Sequence, residues 1–265
     1  MSIFVERREL EEFLSTSGRR LLYGRRKTGK TFYARRRLRD HEYYIVRRGG
    51  LFYDPGSQEE YSPRAFIKLC GKADKIIIDE FHRAPTLLYD AIQAGECPYD
   101  LLLITSTLHY HTKYTQARDA PLKGLFLAHK VGLVSPLDLV RHKWTWNGPG
   151  LYERLVYYQE PTLIGREPGD IMFYSAEAAW SLVGEVLAKE DYQATRRYHY
   201  ILQALSAGKT RLTEISSYLY SRGLIPTQSP AHITKYIEAI TRIGLIEKIP
   251  VWGSKKKPFT GTYHP

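Results

Sequence analysis

The first half of the chain is punctuated by four short apolar runs, residues 21–23, 43–46, 75–79 and 101–105, each set between turn signals. Unbroken apolar runs, unlike the alternation of a half-exposed strand, belong to a parallel sheet covered on both faces. Residues 61–70 and 85–94 lie between these runs and have helical composition, as crossovers between parallel strands require. The pattern predicts an α/β domain over residues 1–140.

From residue 141 the rhythm breaks. The sequence Asn147-Gly-Pro-Gly150 and the turns at Pro161 and Pro168 read as irregular chain. Residues 175–188 then read as a helix, with Ala179, Leu182, Val183, Val186 and Leu187 on one face. Residues 141–195 are accordingly expected to form a small helical lid. The last part has a third pattern: an apolar helix over residues 198–207 closed by Gly208, a second over 212–221 closed by Gly223, and a third opening at Ser229-Pro230. After Gly244, two β-prone runs flank Gly253-Ser254, which reads as a hairpin. Three helices and a hairpin predict a winged helix over residues 196–265.

Charge sharpens this picture. The 265 residues carry a formal net charge of +11, unevenly distributed. Residues 1–50 and 196–265 each hold a net +8, while residues 51–195 hold −5. Basic ends around an acidic middle suit a chain with two polyanion sites. In the third C-terminal helix, Ile233, Ile237 and Ile240 recur at core spacing, so His232, Lys235, Ala239 and Arg242 are expected on the solvent face. Lys255, Lys256 and Lys257 at the hairpin tip would join His232, Lys235 and Arg242 on one groove of double-stranded DNA and its flanking phosphates.

Composition narrows the rest. Hydrophobic residues at 43% allow a real core. No apolar run is long enough to span a bilayer, and the N-terminus turns charged within a few residues, so a cytoplasmic protein without a membrane partner is expected. Cys70 and Cys97 form no patterned pair and are read as buried, reduced thiols, with no disulfide framework or zinc site. The scarcity of asparagine, cysteine and methionine suits a heat-loving source.

Residues 24–31, Gly-Arg-Arg-Lys-Thr-Gly-Lys-Thr, match the phosphate-binding loop GxxxxGK[ST] and sit between a strand and a helix. Gly24 and Gly29 let the backbone wrap, so that the N–H groups of Arg25, Arg26, Lys27, Thr28, Gly29 and the helix start through Phe32 face phosphate oxygens. Lys30 is expected on the β- and γ-phosphates of ATP or ADP, and Thr31 on Mg²⁺. The run Lys75-Ile-Ile-Ile-Asp79-Glu80 delivers two carboxylates to a strand end: Asp79 for Mg²⁺, Glu80 to activate water. Thr105 and Ser106, ending the next apolar run, are placed to sense the γ-phosphate.

With Phe4, Val5, Arg7, Glu9 and Leu10 at the start and the segments 121–139 and 242–265, these motifs resemble the archaeal P-loop ATPases of the STAND/AAA-type class over nearly the whole chain. The resemblance implies a P-loop NTPase sheet, a lid and a C-terminal winged helix. It also implies Val5 and Arg7 beside the adenine, Gly148-Pro149 as the opening of the lid, and a further domain beyond Pro265 in many relatives. One departure carries weight. Where relatives place an arginine after the glycine of a Pro-Leu-x-Gly segment, Pro121-Leu-Lys-Gly124 is followed here by Leu125, which implies slow turnover. The expected function is an ATP-dependent switch that binds DNA; the alternative is a nucleotide-bound regulator with negligible hydrolysis whose winged helix binds a protein partner, and a protein partner or homo-oligomer is a further candidate associate.

Overall fold

The computed structural model describes residues 4–25, 27–106, 122–142, 150–152, 158–159, 161, 164, 192–242 and 246. The chain divides into two compact units, Met1–Gly165 and Arg166–Pro265.

The first unit is built on a seven-stranded sheet. Its strands are β1 Arg19–Tyr23, β2 Glu42–Val46, β3 Phe52–Tyr53, β4 Glu60–Tyr61, β5 Lys75–Asp79, β6 Asp100–Thr105 and β7 Leu127–Lys130, in the spatial order β4-β3-β2-β5-β6-β1-β7. β2, β5, β6, β1 and β7 run parallel, while β3 and β4 add an antiparallel edge. The four apolar runs are the four central strands. Ile76, Ile77, Ile78, Leu101, Leu102 and Leu103 lose all solvent contact, each contributing about 1.5–3 kcal/mol of transfer free energy. The three strands that the pattern did not foretell are two residues long, or, as in β7, exposed at most positions. They carry no buried stripe to betray them.

α1 Arg8–Ser15 precedes β1, and three helices connect successive strands: α2 Lys30–Arg37, α3 Pro63–Cys70 and α4 Thr86–Gln93, with a 3-10 turn at Phe81–Arg83 ahead of α4. A fifth, α5 Pro136–Arg141, follows β7. Ser62 caps α3 and Ser135 caps α5, each accepting a backbone N–H through its hydroxyl and each followed by proline. α1, Leu22, Tyr33, Ile77 and Leu102 close one face of the sheet. Phe66, Cys70, Leu88, Ile92 and Cys97 close the other over Ile76, Ile78 and Leu101.

The second unit presents three helices, α6 Tyr192–Ser206, α7 Leu212–Tyr220 and α8 Ala231–Arg242. α6 starts earlier than its apolar pattern suggested. Ile201, Leu205, Ile215, Leu219, Ile233, Ile237 and Ile240 form the core they share. Arg197 bridges within this unit, donating from Nε to the Leu224 carbonyl and from Nη1 to the Tyr236 hydroxyl. On α8, His232 and Lys235 are exposed. Ala239, expected beside them on the solvent face, is instead half-buried and packs on the core. The hairpin with Lys255, Lys256 and Lys257 and the lid helix at 175–188 lie outside the described residues, as does the side chain of Arg242. Among the described residues no helix is long and apolar enough to cross a membrane.

Candidate nucleotide-binding site

The strand order brings three motifs together. β6 lies between β1 and β5, so the loop after β1, the hydroxyls ending β6 and the carboxylates ending β5 emerge side by side at the C-terminal edge of the sheet, where ligands of open α/β folds collect. A cavity of about 470 Å³ opens there. Lys27, Thr28, Gly29, Lys30 and Thr31 line one part with Asp79, Glu80 and Ser106; Phe4, Val5, Val134, Pro161 and Ile164 line an apolar part.

The loop has the conformation that its glycines permit. Gly24 has a φ of 142° and packs so tightly on the strand beyond it that a Cβ would lie 2.4 Å from the Val131 carbonyl oxygen. No side chain fits there. Gly29, with a φ of 81°, turns the chain into α2. Lys30 is buried, its ammonium donating to the carbonyls of Gly24 at 2.9 Å and Arg25 at 2.5 Å and to the Thr28 hydroxyl at 3.3 Å. The helix start, its backbone N–H groups and this ammonium make a cationic floor suited to phosphate. Arg26 lies outside the described residues. Phe32 is exposed and also borders the cavity.

Asp79 is held from three directions. Thr31 Oγ1 donates to Oδ2 at 2.6 Å, the Tyr43 hydroxyl donates to the same oxygen at 2.9 Å, and the Glu80 N–H donates to Oδ1 at 2.7 Å. Burial, with the Asp79 charge adding to it, pushes the Tyr43 hydroxyl well above the ordinary phenol range, so it remains a donor. A hydroxyl and a carboxylate in direct contact beside a phosphate loop are hard oxygen donors of the kind that could hold a divalent cation such as Mg²⁺.

Glu80 stands in the left-handed region at φ 54°, an uncommon setting for a residue with a side chain. Its Oε2 pairs with Arg83 Nη2 at 3.0 Å and lies 3.4 Å from His82 Nε2. Thr105 and Ser106, adjacent in sequence, face differently. Thr105 Oγ1 lies 3.4 Å from His82 Nδ1 and does not line the cavity, whereas the buried Ser106 Oγ has no hydrogen-bond partner among the described residues and lines it. An orphaned buried hydroxyl beside a phosphate loop is a donor in want of an acceptor.

Val5 and Arg7 both reach the cavity wall. The Arg7 guanidinium is committed to protein acceptors: the carbonyls of Thr28 at 3.0 Å, Gly132 at 3.2 Å and Leu133 at 3.0 Å, and the Glu9 carboxylate at 2.9 Å. It is a strut of the site's wall. Sequence patterns had not singled out Tyr43, His82 or Arg83. The last two lie within three residues of Glu80, a proximity that a short helical turn converts into contact. Tyr43 sits inside an apolar strand and carries no local signal.

No family model and no curated protein matches the chain. Its fold is similar to that of a solved ATPase. A Walker-type ATPase of Pyrococcus abyssi superposes with a TM-score of 0.57 at 17% identity, covering 93% of this chain and 91% of that one. A STAND ATPase with a tetratricopeptide-repeat sensor from Pyrococcus horikoshii aligns with all of this chain and 41% of its own, at 15% identity and a TM-score of 0.43. AMPPCP-bound DnaA from Aquifex aeolicus aligns at 12% identity over 88% of this chain and 85% of that one, with a TM-score of 0.29.

Proposed function

We propose that the chain binds ATP with Mg²⁺, hydrolyses it slowly to ADP, and uses nucleotide occupancy to control binding of duplex DNA by its C-terminal unit. The observation that carries the ATP reading is the meeting of Lys30, Thr31, Asp79, Glu80 and Ser106 on one cavity that also has an apolar part. Lys30 and the N–H groups opening α2 bind the phosphates. Thr31 and Asp79 would hold the metal, which supplies charge neutralisation when bound. Tyr43 keeps Asp79 oriented, Ser106 donates to a phosphate oxygen, and Glu80 takes a proton from water once its carboxylate is clear of Arg83. The apolar wall of Phe4, Val5, Val134, Pro161 and Ile164 would pack against the adenine ring.

The DNA reading is supported by His232 and Lys235 exposed on α8 above its buried isoleucines, and by the net +8 of residues 196–265. Lysine contacts to phosphate release counterions, so binding would weaken steeply with salt. Neutralising Lys255, Lys256 and Lys257 is expected to flatten the log–log salt slope by up to ~3 units, and Lys235→Glu to weaken binding. The Glu80–Arg83 pair favours a second reading, in which nucleotide is a structural cofactor and the partner is a protein. ATP turnover measured with and without duplex DNA separates the two. Stimulation supports the switch; undetectable turnover, together with no DNA retention at low salt, supports the second reading.

A further inference from the structure

The two cysteines of this chain meet. Cys70 is the last residue of α3, and Cys97 lies just beyond Gly95 at the end of α4. Both are buried in the same apolar cluster, and their sulfurs are 2.7 Å apart. Unbonded carbon atoms pack at ~3.5–4.0 Å, and sulfur is larger than carbon. Two reduced thiols do not rest at this separation, so the backbones must part or the sulfurs must bond.

The two backbones already meet beside the sulfurs. A Cβ on Gly71 would lie 3.1 Å from the Glu96 carbonyl oxygen, so the residues after Cys70 and before Cys97 already pack main chain to main chain. Each segment is pinned by its own hydrogen bonds, Gly71 N–H to the Ile67 carbonyl at 3.0 Å and Glu96 N–H to the Ala91 carbonyl at 2.9 Å. Phe66, Leu88, Ile92 and Leu101 pack in the same cluster. Packing thus brings the thiols together before any covalent bond does, which is the pre-organisation that favours closure.

We propose that Cys70 and Cys97 are a modification site that closes to an intramolecular disulfide as the first unit folds, with a low-molecular-weight disulfide such as glutathione disulfide as oxidant. One cysteine thiolate attacks a sulfur of the oxidant, expelling one thiolate and leaving a mixed disulfide. The other cysteine then attacks the protein sulfur of that mixed disulfide and expels the second thiolate. The two protons of the cysteines go to the two released thiolates, and the two electrons reduce the oxidant. Because both sulfurs are buried in the finished fold, closure belongs to folding or to a local opening of the α3–α4 ends.

The loop so closed, residues 71–96, contains β5, Asp79 and Glu80. The bond would restrain the unfolded chain around the acidic strand without touching the cavity, whose lining includes neither cysteine.

The test uses the full chain, unfolded under reducing conditions and refolded with glutathione disulfide, then denatured and treated with N-ethylmaleimide. The expected product is a monomer lighter by two hydrogens that takes no maleimide until it is reduced. Maleimide on both cysteines, a persistent glutathione adduct, or a disulfide-linked dimer would overturn the proposal. A second measurement compares the natural chain in its two redox forms. The oxidised chain should melt several degrees above the same chain reduced, and this difference should vanish in Cys70→Ala/Cys97→Ala. Equal melting of the two forms, or a lower value for the oxidised one, would show that the packing does not accommodate the bond.

Discussion

Glu80 and Arg83 face each other across one turn, the guanidinium Nη2 lying 3.0 Å from the carboxylate Oε2. Both side chains are about three-quarters buried. The pair occupies one oxygen of the group proposed to activate water. Arg83→Ala is therefore expected to raise kcat by about two- to fivefold, the kinetic equivalent of a partly exposed ion pair, with KM unchanged. A fall in kcat would assign Arg83 to transition-state stabilisation instead.

Glu80→Gln should retain ATP and stop hydrolysing it. The amide fills the same space and still meets Arg83 and His82, but it accepts no proton from water, a loss of about 10²–10⁴-fold in kcat. Single-turnover measurement with bound nucleotide checks this; unchanged turnover would exclude Glu80 as the base.

Lys30→Ala removes the buried ammonium among the Gly24 and Arg25 carbonyls. Charged hydrogen bonds of this kind are worth about 1.5–3 kcal/mol, so affinity for ATP should fall by about 10–100-fold. Equilibrium titration with a fluorescent nucleotide reads it, and far-ultraviolet circular dichroism reports whether the fold survives.

Tyr43→Phe deletes the donor at 2.9 Å from Asp79 while keeping the ring packed. Partners that orient a metal-binding carboxylate typically contribute about 10–100-fold in metal affinity. Half-saturation by Mg²⁺ should rise by about tenfold at saturating nucleotide, while nucleotide affinity without Mg²⁺ stays constant. Equal losses with and without the metal would mark Tyr43 as structural only.

His129 stacks on Phe13 with ring centroids 5.0 Å apart, and its Nε2 is buried without a hydrogen-bond partner among the described residues. Burial lowers its pKa below the ordinary imidazole value. The unfolded chain thus binds the proton more readily than the folded one. Its neutral form leaves stability undiminished above pH ~6.5, and stability is lost as pH falls through the depressed folded-state value. Denaturant midpoints from pH 8 to 5 should fall less steeply in His129→Phe than in the natural chain; parallel profiles would exclude this contribution.

The sequence disclosed elements that bury a long stripe and residues whose chemistry depends on neighbours in the chain. β5 is legible because Ile76, Ile77 and Ile78 are apolar on both faces, and Lys30 because GxxxxGK constrains the backbone around it. β7 was not, since a parallel edge strand gains its partner from β1 and shows no buried run of its own. Ala239 shows the limit of periodicity at a helix edge, where one small residue packs inward as readily as it faces out. The differing orientations of Thr105 and Ser106 follow from the alternation of a strand end, but which of them meets the cavity depends on where His82 sits. The link between Tyr43 and Asp79 joins residues that neither periodicity nor spacing relates, and only the pairing of β2 with β5 brings them together.

The Arg7 strut changes what counts as part of the candidate site. Its guanidinium holds the carbonyl of Thr28 in the phosphate loop to those of Gly132 and Leu133 beyond β7, a clasp between segments over a hundred residues apart. Its backbone N–H is held in turn by the Tyr33 hydroxyl at 2.7 Å. The short stretch ahead of α1 is thus a fastening of the nucleotide site. Trimming a recombinant fragment to begin at the first helix would unbuckle the loop while leaving every residue of its motif intact.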